Sequence, residues 1–275
     1  MWHVSPDGTG ERSEVPLLEI FRVSKAFGGL MALMEVSLGV RPGQIKGLIG
    51  PNGAGKTTLF NLITGMLQPT SGDIRFQGRS IVGLPPYRIA ALGIARTFQN
   101  VQLFPGMTVF EHVLVGGHRH GQSGLLGAIL QTSRARQEEQ AAQARAWRIL
   151  ERVGLAAWAD RPAESLPLGL QRILEIARAL AASPRLLLLD EPGAGLNPAE
   201  KVQLAQLIRS LPEEGITVLL VEHDMNLVMG LADEIAVLDY GRLIAEGSPE
   251  AIRQDPRVIA AYLGEEDEVW DAARG

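Results

Sequence analysis

The sequence has no cysteine, no long apolar run and no excess of basic residues. Without cysteine, disulfide bonds and thiolate metal sites are both excluded. No stretch of about 18 consecutive apolar residues is present, so the sequence predicts no membrane-spanning helix, although a partner could still hold the protein at a membrane. The formal net charge of −5 argues against general nucleic-acid binding, which usually requires a basic domain.

What the chain does have is enough apolar residues for a core. It contains 275 residues, of which 46% are hydrophobic, which suffices for one large domain or two small ones. Residues 1–16 are polar with scattered proline and glycine, and residues 265–275 are rich in acids. We therefore expect a disordered leader at 1–16 and a loose acidic tail at 265–275.

The strongest local pattern is a phosphate-binding loop. The pattern Gly-x-x-x-x-Gly-Lys-Ser/Thr is matched by Gly50-Pro51-Asn52-Gly53-Ala54-Gly55-Lys56-Thr57-Thr58. An apolar run at 45–49 predicts a strand before it, and residues 56–64 predict a helix after it. We expect the loop N–H groups and the helix dipole to hold an anion, Lys56 to reach the β- and γ-phosphates, and the Thr57 hydroxyl to bind Mg²⁺.

A second segment combines a buried strand with two acids. Leu186 to Leu189 are four leucines without alternation, which predicts a strand buried on both faces of a parallel sheet. Asp190 and Glu191 follow directly, and because a buried charge without a partner is costly, we expect them at the open end of the strand beside a cation. Asp190 is placed to hold Mg²⁺ through water, and Glu191 to accept a proton from water that attacks the γ-phosphate.

Polar side chains also follow two other predicted strands. Gln99 comes after 94–97 and His223 after the apolar run 216–221, so both should lie at the ligand-binding edge of the sheet. Alone, Gln99 is more typical of a surface residue, and His223 is as typical of a capping residue as of a catalytic one. Phe27, beside a Gly-Gly turn, favours core packing on sequence grounds, with purine stacking as the alternative.

Further elements complete the pattern. Apolar alternation predicts strands at 17–23, 32–40, 73–76, 235–238 and 243–245, and helical periodicity predicts helices at 133–153, 169–182, 198–211, 249–252 and 258–263. Arg172 and Arg178 mark the polar face of the helix at 169–182. His118 and His120 lie in a Gly-rich stretch without a third ligand nearby, which favours loop residues over a metal site.

Together these segments resemble an ABC-transporter nucleotide-binding subunit, in order and approximate spacing, from Leu17 to about Gly264. Within that superfamily the chain looks most like ATPase subunits of branched-chain amino-acid importers. The stretches that carry the narrower resemblance are Ala95–Val101, Ala194–Pro198, Glu222–Met225, Val237–Gly241 and Asp255–Gly264. The resemblance implies an α/β fold: a RecA-like P-loop NTPase core (17–100 and 170–264) with a small antiparallel β subdomain, and an inserted α-helical subdomain (101–169).

The resemblance also implies roles for individual residues. Phe27 would stack on adenine, which favours purine stacking over the core packing that the local sequence suggests. Gln99 would sense the γ-phosphate and Mg²⁺ and would face the membrane subunit. Glu191 would be the general base and His223 the switch histidine on the γ-phosphate. Ala194 to Asn197 would cross a dimer interface. ATP and Mg²⁺ are the implied cofactors, with metal ligands at Thr57, Gln99 and Asp190.

The signature segment departs from the family pattern. The usual Leu-Ser-Gly-Gly-Gln corresponds here to Leu166-Pro167-Leu168-Gly169-Leu170, so Leu166 and Gly169 are retained. The signature of one subunit caps the ATP of the other through N–H groups and the serine hydroxyl. Pro167 has neither group, so the partner's ATP should be held less well.

The function implied is an ATPase that powers uptake of branched-chain or related amino acids. The implied partners are membrane permease subunits, a second identical or homologous ATPase subunit and, indirectly, a solute-binding protein, with no nucleic acid. The implied location is the cytoplasmic face of the membrane, bound peripherally. The alternatives are an ABC ATPase for another solute, such as an amide, urea or a lipid-like molecule, and a nucleotide-dependent switch without transport.

Overall fold

The computed structural model describes residues 15–99, 101–117 and 133–262. The strands within these ranges are β1 Leu18–Phe27, β2 Leu30–Val40, β3 Ile45–Ile49, β4 Ser71–Phe76, β5 Arg79–Ser80, β6 Ile94–Arg96, β7 Leu186–Asp190, β8 Thr217–Val221, β9 Glu234–Asp239 and β10 Arg242–Gly247. The helices are α1 Lys56–Ile63, α2 Pro86–Leu92, α3 Val109–Gly116, α4 Ser133–Arg152, α5 Leu168–Ala181, α6 Pro198–Ser210, α7 Met225–Leu231, α8 Pro249–Gln254 and α9 Pro256–Tyr262. Residues 1–14 of the predicted leader, His118, His120 and the predicted acidic tail at 265–275 lie outside the described residues.

The larger sheet has the order β10-β9-β3-β8-β7-β6. Strands β9, β3, β8, β7 and β6 are parallel, and β10 is an antiparallel edge strand. The carboxyl ends of β3, β8, β7 and β6 therefore meet at one edge of the sheet, and the segments that follow them come together there. The α/β fold expected from the sequence is confirmed.

The four leucines of β7 show why this strand lacks alternation. Leu187 and Leu189 belong to one hydrophobic core, with α4 to α7, while Leu186 and Leu188 belong to a second core, with α1 and the smaller sheet. All four side chains are fully buried. Burial of each contributes about 1.5–3 kcal/mol, so both faces of the strand favour leucine.

The smaller sheet is antiparallel, in the order β2-β1-β4-β5. The sequence predicted that its first strand ends at Val23, and this was wrong: β1 continues to Phe27 and forms a hairpin with β2 through Gly28, whose φ is 58°. The polar stretch that follows Val23 has no clear alternation, but pairing of Lys25 with Leu33 keeps it extended. Tertiary pairing thus outweighs the local pattern.

Helices α3, α4 and α5 pack against one another beside the parallel sheet. Helix α3 begins with a capping box, in which Thr108 accepts from the N–H of Glu111 and the Glu111 carboxylate accepts from the N–H of Thr108. Helix α4 ends at Arg152, and Gly154 follows with φ 75°. Within the described residues, no helix is long and apolar enough to cross a membrane.

Candidate functional site

The phosphate-binding loop connects β3 to α1 and depends on two glycines. At Gly50, where φ is 150°, a Cβ would lie 2.0 Å from the carbonyl oxygen of Leu238. At Gly55, where φ is 105°, a Cβ would lie 2.8 Å from the carbonyl oxygen of Ala32. Gly55 also caps α1 without any side-chain acceptor, so the first N–H groups of the helix stay available to an anion.

Lys56 is buried inside this loop. Its Nζ donates to the carbonyl oxygens of Gly50, at 2.6 Å, and Pro51, at 2.9 Å. These carbonyls hold the ammonium beside the loop N–H groups. A phosphate bound to the loop would therefore meet a cation that is already positioned.

A cavity of about 260 Å³ opens above the loop. It brings together residues that are far apart in the sequence, namely Asn52 to Thr58 from the loop together with Ala32, Gln99, Glu191 and His223. The side chain of Thr57 is exposed there. The three polar groups predicted at the sheet edge therefore face the predicted phosphate site.

Glu191 lies between the other two polar groups, Gln99 and His223. One carboxylate oxygen, Oε1, is 2.8 Å from Nε2 of His223, and the other, Oε2, accepts a hydrogen bond of 2.8 Å from Nε2 of Gln99. The backbone of Glu191 has φ 48°, which is unusual for a residue with a side chain, and its N–H donates to Val221 at the end of β8. The hydrogen bond to the neighbouring strand keeps the backbone of Glu191 in this strained conformation, and the conformation fixes the direction of the carboxylate.

Asp190, which the sequence predicts beside a cation at the end of β7, is buried. Its side chain is 4% exposed, and Oδ2 lies 2.8 Å from Nη2 of Arg96. Arg96 also donates to Oδ1 of Asn61, and its guanidinium lies over the rings of Phe60 and Phe98. The cation expected beside the two acids is thus present in the chain itself. No local pattern in the sequence indicates this arginine, although a buried carboxylate requires such a partner.

The segment after β6 is held by side chains that the sequence analysis assigned to a polar helix face. Arg172 is buried and donates from Nη1 to the carbonyl oxygen of Gln99 at 2.5 Å. Arg178 donates to the carbonyl of Gln102, and the Glu175 carboxylate accepts from the N–H of Gln102. Burial raises the pKa of Glu175. The two arginines of the polar face of α5 therefore position the backbone next to Gln99.

Glu222 is a second residue that sequence reasoning missed. Its carboxylate is buried and accepts from the N–H of Gly193, at 2.5 Å, and from the N–H of His223, at 3.2 Å. Burial raises the pKa of Glu222, against the effect of these backbone hydrogen bonds. Glu222 thereby joins the loop after Glu191 to the residue that carries the imidazole. A glutamate directly after a fully apolar strand was the available signal.

Two groups of predicted binding residues lie away from the cavity. Phe27 is 46% exposed, and the ammonium of Lys25 lies 5.0 Å from the centre of its ring. The signature segment lines a different surface: α5 begins at Leu168, and Pro167 precedes it without a side-chain cap. Gly169 packs on α6, where a Cβ would lie 2.4 Å from Oε1 of Glu200. This chain's own signature does not meet its own phosphate loop.

Comparisons with known proteins agree with this geometry. Residues 33–194 match the family model described as ABC transporter, and residues 242–268 match that of the branched-chain amino acid ATP-binding cassette transporter. The chain is 50% identical over 251 residues to the high-affinity branched-chain amino acid transport ATP-binding protein BraF of Pseudomonas aeruginosa, across 91% of this chain and 98% of BraF. It is 48% identical to the corresponding protein LivG of Escherichia coli, with the same coverage.

Solved structures give the same result. A nucleotide-free ATP-binding cassette from an ABC transporter matches with a TM-score of 0.79 and 35% identity, over 91% of this chain and 100% of that one. A cassette solved in its ADP conformation matches with a TM-score of 0.80 and 34% identity, with the same coverage. The chain therefore belongs to the ATP-binding proteins of ABC transporters, in the branched-chain amino-acid group, and it is an ATPase.

Proposed function

We propose that this chain hydrolyses ATP to drive uptake of branched-chain amino acids through a membrane permease. The observation that carries the catalytic part is the position of Glu191 between Gln99 and His223 at the mouth of the phosphate-loop cavity. The named relatives, which are transport ATP-binding proteins for branched-chain amino acids, support the substrate. The protein then works peripherally, at the cytoplasmic face of the membrane that holds its permease.

The chemistry follows from the groups around the cavity. The loop N–H groups and Lys56 hold the phosphates, and Phe27, half-exposed on β1, offers a stacking surface for adenine. The Glu191 carboxylate accepts a proton from the water that attacks the γ-phosphate. His223 and Gln99 orient this carboxylate and face the phosphoryl oxygens that gain negative charge in the transition state.

The chain also offers donors that suit Mg²⁺. Thr57 and Gln99 supply neutral oxygens at the cavity, and Asp190 supplies a carboxylate behind them that would act through water. Such a set suits a hard cation that retains several of its waters. When bound, the ion would neutralise charge on the phosphate oxygens. Within the described ranges no group of three or more acidic or histidine side chains offers a separate metal centre.

The proposed active assembly needs a second ATPase subunit. Leu166 to Gly169 do not face the cavity in this chain, so a signature must come from a partner to cap the ATP. The loop Ala194 to Asn197 follows Glu191 and leads to the capping box of α6 at Asn197. We place this loop at the interface between the two subunits, and the segment 101–169 in the helical subdomain.

An apolar groove supplies the surface for the permease. A cavity of about 380 Å³ lies between α2, β6 and α3, where Met66, Phe98 and Val115 are between 38% and 55% exposed. Arg96 lines the same groove and pairs with Asp190. A short permease helix placed there would contact the segment that carries Gln99, which links transport to hydrolysis.

The test is reconstitution of the chain with its permease and a second ATPase subunit in vesicles. ATP-dependent uptake of labelled leucine, isoleucine and valine is measured against urea and short amides. Uptake of the amino acids supports the proposal. Uptake of urea or amides alone would overturn the assignment of branched-chain amino acids as substrates. ATP hydrolysis without uptake of any solute would overturn the proposed role in transport.

A further inference from the structure

A second polar cavity lies far from the phosphate loop, at the amino ends of β7 and β8. Its volume is about 500 Å³, and it is bounded by α4, by the connection from α5 to β7 and by the turn before β8. It shares no lining residue with the cavity that contains Glu191. Any ligand held there would occupy a site separate from the ATP site.

The rim of this cavity is strongly basic. Four arginines line it, Arg145, Arg148 and Arg152 from α4 and Arg185 from the loop before β7, against a single carboxylate, Glu214. This concentration of positive charge stands out in a chain whose net charge is −5. Helical periodicity places the first three arginines on one face, but Arg185 joins them only through the tertiary fold.

Most of these guanidinium groups have no acidic partner within the described part of the chain. Arg152 pairs with Glu214 at 2.6 Å and donates to Ser210. Arg148 makes a weak bond of 3.4 Å to a carbonyl of its own helix. The guanidinium groups of Arg145 and Arg185 make no hydrogen bond or ion pair to any described residue. The site therefore holds several cationic donors without a partner among the described residues.

The floor of the cavity is apolar. It is formed by Ile149 from α4, Leu180 from α5 and Ile216 from the turn before β8, all of which belong to or pack against the main core. An arginine presents planar paired N–H donors that match a phosphate, and the apolar floor suits a neighbouring carbon skeleton. The size falls in the range of small-molecule sites, about 300–1,000 Å³.

We propose that this arginine cavity binds a phosphate-bearing anion, independently of ATP at the phosphate loop. The phosphoryl oxygens accept from Arg145, Arg148 and Arg185, and the apolar part of the ligand lies on Ile149 and Ile216. Glu214 opposes such a ligand, because its carboxylate repels the phosphate and occupies Arg152. Two sources have this chemistry, a soluble phosphate compound and the headgroup of an anionic phospholipid.

The experiment uses the full chain with its nucleotide site saturated with ADP. Inorganic pyrophosphate is titrated calorimetrically, and vesicles of phosphatidylglycerol are tested by co-sedimentation. The variant is Arg145→Gln/Arg148→Gln/Arg185→Gln. The control is Arg79→Gln/Arg88→Gln/Arg242→Gln, which removes the same charge from exposed arginines elsewhere.

We expect the cavity variant to bind at least about tenfold more weakly, since each lost contact is a charge-assisted hydrogen bond, and the control to bind like wild type. If the cavity variant loses pyrophosphate binding, the ligand is a soluble phosphate compound. If it loses vesicle binding, the ligand is the headgroup of an anionic phospholipid. Glu214→Gln should strengthen binding severalfold, because it frees Arg152. Equal weakening in cavity and control variants, binding of neither probe, or weaker binding by Glu214→Gln overturns the proposal.

Discussion

The guanidinium of Arg96 lies 2.8 Å from the carboxylate of Asp190, and both side chains are less than 10% exposed. This pair joins the end of β6 to the end of β7. Because Arg96 also lines the groove between α2 and α3, the ion pair connects the proposed permease surface with the proposed Mg²⁺ ligand. The guanidinium carbon of Arg96 also lies 5.5 Å from the centre of the Phe60 ring and 5.3 Å from the centre of the Phe98 ring.

Removal of Arg96 should destabilise the protein. Arg96→Ala leaves the Asp190 carboxylate buried without a cation, which typically costs about 3–5 kcal/mol in the free energy of unfolding. Urea denaturation measures this loss. The matched control is Arg22→Ala, whose ion pair with Glu35 is more than half exposed and should matter far less because water screens it. Similar losses in the free energy of unfolding for both variants would show that the buried ion pair stabilises the protein no more than the exposed one.

Glu191→Gln should preserve ATP binding but lower turnover by at least about 10²-fold, the usual contribution of a general base. The amide can still contact Gln99 and His223, so the cavity keeps its shape, yet it cannot accept the proton from water. Phosphate release from the assembled complex measures turnover, and a fluorescent ATP analogue measures binding. Wild-type turnover in this variant would rule out Glu191 as the base.

Much of this site could be predicted because its elements are local in sequence. The phosphate loop carries its glycines, lysine and threonine in consecutive residues, and the leucines of β7 reveal a strand buried on both faces. The position of Gln99 and His223 beside Glu191 followed from the rule that parallel strands end at one edge.

The parts that could not be predicted depend on tertiary contacts. Nothing near Arg96 in the sequence indicates Asp190, which is 94 residues away. Arg172 lies on a helix whose periodicity marks it as polar, but the carbonyl that it reaches, that of Gln99, belongs to another element. Glu222 was read as a strand end, whereas its role depends on the N–H of Gly193.

Lys56→Ala should weaken nucleotide binding. The ammonium is already fixed by the carbonyls of Gly50 and Pro51, so its loss removes a positioned hydrogen bond to a charged phosphate, worth about 1.5–3 kcal/mol. This corresponds to a rise in Kd for ATP of about 10- to 100-fold. Titration with a fluorescent analogue checks it, with Arg79→Ala on β5 as the control. An unchanged Kd for ATP would show that Lys56 does not contact the phosphates.

The stability of the protein should fall as the pH drops below neutrality, through His112. This buried imidazole accepts from the N–H of Phe104 at Nε2 and donates from Nδ1 to the carbonyl of Thr108, which fixes the neutral form. Burial lowers the pKa of His112, so below about pH 6.5 the unfolded chain binds a proton that the folded chain does not. The free energy of unfolding should decline by at most about 1.4 kcal/mol per pH unit in this window.

The control for this pH dependence is His112→Gln, which cannot titrate in the same range. We expect it to lower the overall stability but to flatten the dependence between pH 6.5 and pH 5.5, where an imidazole in the unfolded chain gains its proton. Urea unfolding at several pH values measures both quantities. An unchanged slope in the variant would show that His112 does not carry the pH dependence.

Pro167→Ser should strengthen ATP binding at the proposed subunit interface more than it changes stability. Pro167 has φ −53° and ψ 149° at the N-cap of α5, a geometry that serine also adopts, and its replacement supplies a missing cap worth about 1 kcal/mol. Loss of the proline ring offsets this by about 0.4–1 kcal/mol through the unfolded state. The new hydroxyl should lower the KM for ATP of the assembled complex by about tenfold. Pro249→Ser, at the start of α8, is the control, and a raised Tm without a change in KM would show that residue 167 caps only its own helix.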